Sequence, residues 1–173
     1  MQQPDKSGMP RAARSGPSFQ ASEFLTFALD HETFAIPVDA VREVVDLLDA
    51  TQVPNAPDFA PALINVRGNV VPLVDLRRRF AMPPADAEDT RVVVAEVLVH
   101  GEATLVGIMA DAVYEVIDAS KAVIEDIPRL GTRWRAEFIK GVAKQDRGFV
   151  IILDMERILA DREPVRRSAS QSE

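Results

Sequence analysis

The chain has 173 residues, 47% of them hydrophobic and 27% charged, a balance that suits a packed globular protein and argues against wholesale disorder. With no cysteine and only two histidines, His31 and His100, it lacks the material for disulfides or thiolate metal sites and has little for histidine chemistry. The formal charge is −7; residues 23–160 alone hold 14 positive against 23 negative side chains, and a body of that sign repels phosphate backbones, which disfavours nucleic acid as a partner.

Residues 1–22 are rich in Pro, Ser, Gly and Gln, show no periodicity, and read as a flexible arm with no apolar signal core. Strand-like runs then follow at 23–29, 33–36, 63–66, 70–74, 91–99, 105–109 and 149–153, separated by turn residues. Val and Ile together number 31 against 12 Leu, and β-branched side chains suit a pleated, half-buried surface, so the expected class is mainly β. Asp75 and Asp154 each end a strand and precede a short amphipathic stretch, where the carboxylate can cap a helix start. No apolar run nears the ~18 residues of a membrane-spanning helix, which places the expected location in the cytoplasm. From Asp161 to the end the chain reads as a second polar tail, 161–173.

The chain repeats itself. The pattern D-A-V-x-E-V-[VI]-D begins at Asp39 and again at Asp111, 72 positions on. A second match sets Val70–Phe80 against Phe149–Leu159 at a separation of 79, and carries Phe59 and Ala62 onto Phe138 and Gly141. Two strand-rich units in one order imply two small closed sheets, because closure removes exposed strand edges. Approximate bounds are 23–85 and 86–160, with room for strand exchange, and the longer connection of the second unit falls within 119–137.

No catalytic or cofactor constellation emerges. His31 and His100 stand in turn-like stretches without a local ligand pair, and Asp75 and Asp154 are repeat-equivalent, so capping accounts for both. Arg67-Gly68-Asn69 reads as a tight turn with Gly68 or Asn69 at positive φ, and Arg77-Arg78-Arg79 as a solvated helix face. Neither enzyme activity nor a cofactor is expected. A binding role fits better: Arg67 is a lone cation at the end of an apolar strand, and Glu43 lies among Val38, Val41 and Val44.

The run N-V-R-G-N-V-V-P-L-V-D-L-R-R-R-F, from Asn65 to Phe80, resembles the N-L-R-G-x-I-x-P-[IV]-[VI]-D-L-R-x-x-F signature of the chemotaxis coupling protein (CheW) family. The likeness extends over 23–160 through 23–27, 41–44, Pro54, Pro57 and 149–159. It implies two intertwined, SH3-like five-stranded β-barrels with short helices and an apolar groove between them. It also implies a non-enzymatic adaptor that joins the cytoplasmic tips of methyl-accepting chemoreceptors to the regulatory domain of a CheA-type histidine kinase. Such adaptors gather in rings, with other CheW-like copies, at the inner face of the cell membrane. Output pathways in similar proteins include flagellar motility and, alternatively, pili, surface growth or a second messenger; a small ligand-binding β-barrel is the reading from another class. By the resemblance, Val38, Val41, Glu43, Ala62 and Arg67 fall on the receptor side, with Arg67 held by Glu43, and Val93 and Leu130 fall on the kinase side. Ala62 and Val66 depart from the pattern, which usually has Gly and Leu there, and Asp46-Leu47-Leu48-Asp49 is more acidic than the pattern suggests.

Overall fold

The computed structural model describes residues 22–47, 49–84, 90–119, 124–125, 136–146 and 148–160. Strand follows strand: β1 Glu23–Leu29, β2 Glu32–Pro37, β3 Val41–Asp46, β4 Thr51–Gln52, β5 Ala62–Val66 and β6 Asn69–Val74, closed by helix α1 Leu76–Arg79. The second series runs β7 Arg91–Val99, β8 Glu102–Ala110, β9 Ala112–Asp118, β10 Ile124–Glu125, β11 Ile139–Gln145 and β12 Gly148–Leu153, closed by α2 Met155–Ala160. The architecture is mainly β and SH3-like, with two curled sheets.

Each sheet has five full strands and one of two residues, in the orders β10-β11-β12-β2-β1-β9 and β3-β7-β8-β6-β5-β4. The units exchange hairpins. β1 and β2 join the sheet built by the second series, and β7 and β8 join the sheet built by the first. Both exchanges end on a parallel contact in the same register: Ile152 opposite Ala35 where β12 meets β2, and Leu73 opposite Gly107 where β6 meets β8. Those two pairs are equivalent under the separations of 79 and 72, so the repeat in the sequence is a repeat in space.

Hairpin turns follow the chemistry of two-residue loops, which need positive φ. His100 and Gly101 take φ of 51° and 82° between β7 and β8. Between β5 and β6 it is Arg67 and Gly68 (51° and 84°) that do so, so the left-handed pair includes Arg67 and not Asn69. Asn65 Oδ1 accepts the Gly68 N–H at 2.9 Å and fixes that turn.

A shared core joins the sheets, with Phe27, Phe34, Phe80, Phe138, Ile108 and Ile158 among its buried side chains. Smaller cores fill each sheet: Phe24, Ile117, Val150 and Ile152 in one, Ile64, Val71, Leu73 and Val92 in the other. The two caps match. Asp75 accepts the Arg77 N–H at 3.0 Å and Asp154 the Arg157 N–H at 3.1 Å. The two aspartate N–H groups donate in turn to the carbonyls of Phe59 and Phe138, each at 2.8 Å.

The arginine triplet is not a solvated face. Only Arg78 is exposed, paired with Asp58 and Asp75. Arg77 is buried, bonded to Asp111 and, at 3.0 Å, to the Pro83 carbonyl. The Arg79 guanidinium lies between the Phe59 and Phe138 rings, 4.7 and 4.8 Å from their centroids. A four-residue helix packed at the junction of two sheets has little free face, which is why two of its three cations turn inward.

Candidate functional site: a salt-bridged turn and two apolar faces

Strand β3 forms one edge of its sheet and carries Glu43, half-buried, between Val41 and Val44. A register shift between Val41 and Glu43 in the pairing with β7 bends the strand there. The β5–β6 turn brings Arg67 to that bend, where its Nε donates to both Glu43 oxygens at 3.0 and 3.2 Å. The Arg67 side chain is 81% exposed, so it stands proud of the surface while its partner anchors it. Holding a left-handed backbone at a non-glycine residue costs on the order of 1 kcal/mol, and the fork to Glu43 gives the strained turn a defined outward pose.

Apolar side chains flank the pair. Val44 is exposed beside Glu43, and Val70, in register with Asn65, is exposed beside the turn. Val38 lies half-buried in the short helical turn before β3, and Val41 packs onto the shared core. Val38, Val41, Glu43 and Arg67 are four of the five residues expected on the receptor side, and Val44 and Val70 add exposed apolar area. Ala62 is different: at 1% exposure it is buried in a core with Ile64 and Val66 and offers no contact area. The methyl that Ala62 adds is thus absorbed by packing.

Val93, expected on the kinase side, is corrected. It is fully buried in the shared core (0% exposed), because inward-facing positions of β7 are covered by the curl of the sheet, and its side chain cannot touch a partner. Leu130, the other kinase-side residue, lies outside the described residues.

The second sheet presents an equivalent face that the sequence did not single out. Tyr114 and Val116 on edge strand β9 and Phe149 at the start of β12 are all exposed, the last two standing where Val44 and Val70 stand in the first unit. Tyr114 and Phe149 border an open cleft of about 560 Å³. The repeat was the available signal, since exposed valines in one unit mark the matching positions of the other. A smaller cleft of about 160 Å³ lies between the sheets, lined by Ile36, Pro37, Leu98, Lys140 and Met155. Glu43 and Arg67 do not line it.

His31 and His100 are exposed in their turns, and among the described residues no group of three or more His, Asp or Glu side chains could hold a metal ion. No helix among them is long and apolar enough to cross a membrane.

The sequence profile of the CheW-like domain matches residues 23–163. Among curated relatives, the chemotaxis protein CheW of Klebsiella aerogenes is 31% identical over 141 residues, covering 82% of this chain and 83% of that protein. The chemotaxis protein CheW of Treponema pallidum is 28% identical over 142 residues, covering 82% and 84%. The crystal structure of the scaffolding protein TtCheW from Thermoanaerobacter tengcongensis superposes with a TM-score of 0.70 at 29% identity, covering 80% of this chain and 87% of that one.

Proposed function

The chain belongs to the CheW-like family, and from that premise we propose that it is a chemotaxis adaptor that couples the cytoplasmic tips of chemoreceptors to a CheA-type histidine kinase in signalling arrays. It works by contact alone, in the cytoplasm, and is recruited to receptor clusters at the membrane. The family match over 23–163, nearly the whole described body, is the observation that carries this reading. The relatives are named as chemotaxis and scaffolding proteins, which supports an adaptor reading, and the surface chemistry is compatible with it.

The receptor-facing surface is the Glu43–Arg67 pair with Val38, Val41 and Val44. A receptor tip presents a helix, and an amphipathic helix binds by laying apolar side chains on an apolar strip while a few charges set its register. Glu43 neutralises the Arg67 Nε side and leaves the remaining guanidinium N–H groups to a carboxylate on the receptor. The kinase contacts involve the Leu130 connection and exposed parts of both sheets.

The test is a ternary pull-down of full-length chain, a receptor-tip fragment and a CheA-type kinase. Arg67→Glu places like charges against Glu43 and the receptor; receptor recruitment falls by at least tenfold while kinase binding and the melting temperature stay near wild type. Undiminished ternary assembly by that variant refutes the site, and absence of both partners from the wild-type pull-down refutes the function.

A further inference from the structure

The two repeat units differ at one telling position. In the first, Glu43 on the edge strand is met by Arg67 from the facing hairpin turn. In the second, Glu115 occupies the place of Glu43, but the residue equivalent to Arg67 is Asp146. The Glu115 backbone is nonetheless anchored. Thr26 Oγ1 donates to the Glu115 carbonyl at 2.7 Å and accepts its N–H at 3.3 Å, filling the bulge where β1 pairs with β9. No hydrogen bond or ion pair engages the Glu115 carboxylate among the described residues. It lines the 560 Å³ cleft with Thr33, Gln145 and the exposed rings of Tyr114 (58%) and Phe149 (56%).

The geometry points to a docking site for a partner protein that inserts an arginine, carried on a turn or extended segment between aliphatic side chains, into the Tyr114–Glu115–Phe149 cleft. The incoming guanidinium supplies in trans what Arg67 supplies in cis in the other sheet. Three features of the cleft match that occupant. A carboxylate can take a guanidinium through paired hydrogen bonds, and the flanking rings can stack on its planar face. Ile117 and Val150 give the cleft an apolar wall against which flanking aliphatic groups can rest. None of the described arginines is free to supply that cation, since each is already engaged within the chain: Arg42 by Glu96, Arg67 by Glu43, Arg77 by Asp111, Arg78 by Asp58, Arg91 by Asp46 and Arg157 by Asp154, with Arg79 over two rings.

The test uses the full chain, labelled for amide NMR, titrated with an end-blocked Asn-Val-Arg-Gly-Asn-Val peptide that copies residues 65–70. Saturable shifts are expected at Thr33, Tyr114, Glu115 and Phe149. A peptide with citrulline for arginine binds at least tenfold more weakly, and so does the Glu115→Gln protein toward the arginine peptide. Asp146→Arg recreates the internal pair of the first sheet; it lowers peptide affinity to the same degree without lowering the melting temperature. Arg147→Gln, at a neighbour outside the described residues, leaves affinity within threefold. Equal binding of the citrulline peptide, shifts confined elsewhere, or loss of binding in Arg147→Gln overturns the site. Self-association in sedimentation that Glu115→Gln abolishes would seat a second copy there and overturn the assignment to a different protein.

Discussion

Removing the Asp111 carboxylate is expected to be the most damaging single polar change in the described body. Asp111 sits at the junction of β8 and β9, where the chain crosses from one sheet to the other, and its N–H donates to the Ala28 carbonyl at 2.8 Å. Its Oδ2 accepts from the Arg77 guanidinium and from the Asp30 N–H at 2.7 Å. One carboxylate therefore ties α1, the β1–β2 turn and the crossover together. The Arg77 side chain is 9% exposed and that of Asp111 24%, so Asp111→Ala strands a nearly buried cation with only the Pro83 carbonyl. Breaking a fully buried pair costs roughly 3–5 kcal/mol; with Asp111 a quarter exposed, about 2–4 kcal/mol is expected. At roughly 3 °C per kcal/mol for a chain of this size, the melting temperature drops by about 6–12 °C. Arg77→Met alone leaves a carboxylate that keeps partial hydration and the Asp30 N–H, and costs about 1–3 kcal/mol. The double variant removes both charges and should lose at least ~1 kcal/mol less than the two single losses added. Urea unfolding of the four proteins, at constant m-value, measures the cycle. A loss under ~1 kcal/mol for Asp111→Ala, or a coupling under ~0.5 kcal/mol, would refute the claim that this pair fastens the sheets.

Gly107→Ala sets a Cβ 2.9 Å from Val92 Cγ1 and 3.2 Å from Ile64 Cδ1, and such overpacking is expected to lower unfolding free energy by about 1–3 kcal/mol in denaturant titration. Gly68→Ala meets no neighbour within 4 Å at its φ of +84°, so only backbone strain acts and the loss stays near ~1 kcal/mol, read as a melting shift of about 3 °C. Thr26→Val removes both bonds to the Glu115 backbone at the bulge and is expected to cost about 1–3 kcal/mol, with faster amide exchange at Glu115 as the local signature.

Much of this architecture could be read from residue order. The predicted strands at 23–29 and 91–99 coincide with β1 and β7, because long β-branched and aromatic runs bounded by turn residues have few alternatives. The aspartate caps and the Glu43–Arg67 contact likewise follow from local spacing or the family resemblance. Strand β11 was harder to see. Lys140, Gly141 and Lys144 weaken its strand character, and it forms because β12 pairs along its length. Arg77 was misread because its partner arrives from 34 positions away through the hairpin exchange, which no local pattern encodes. Val93 departs from expectation because β7 is buried on both faces from Val92 to Ala95, between the shared core and the core of its own sheet, and the exchange that covers it has no local signal.

The exchange of hairpins also explains why the two units could not stay alike. Phe59 and Phe138 are repeat-equivalent, and both face one guanidinium, that of Arg79. The residue equivalent to Arg79 is Ile158, fully buried in the shared core. A symmetric pair of arginines would press two like charges into the space between the same two rings, a repulsion that the low-dielectric core would magnify. One cation between two rings, by contrast, gains attraction from both faces. The junction of a duplicated unit thus admits a charge on one side only, and α1 and α2 must diverge there. The same logic separates the outer faces. Arg67 pairs with Glu43 on the first face, whereas Asp146 takes the equivalent place on the second and leaves the Glu115 carboxylate without a cation among the described residues. Two copies of one fold unit thereby differ in charge at equivalent places, a neutral pair on one face and two carboxylates on the other.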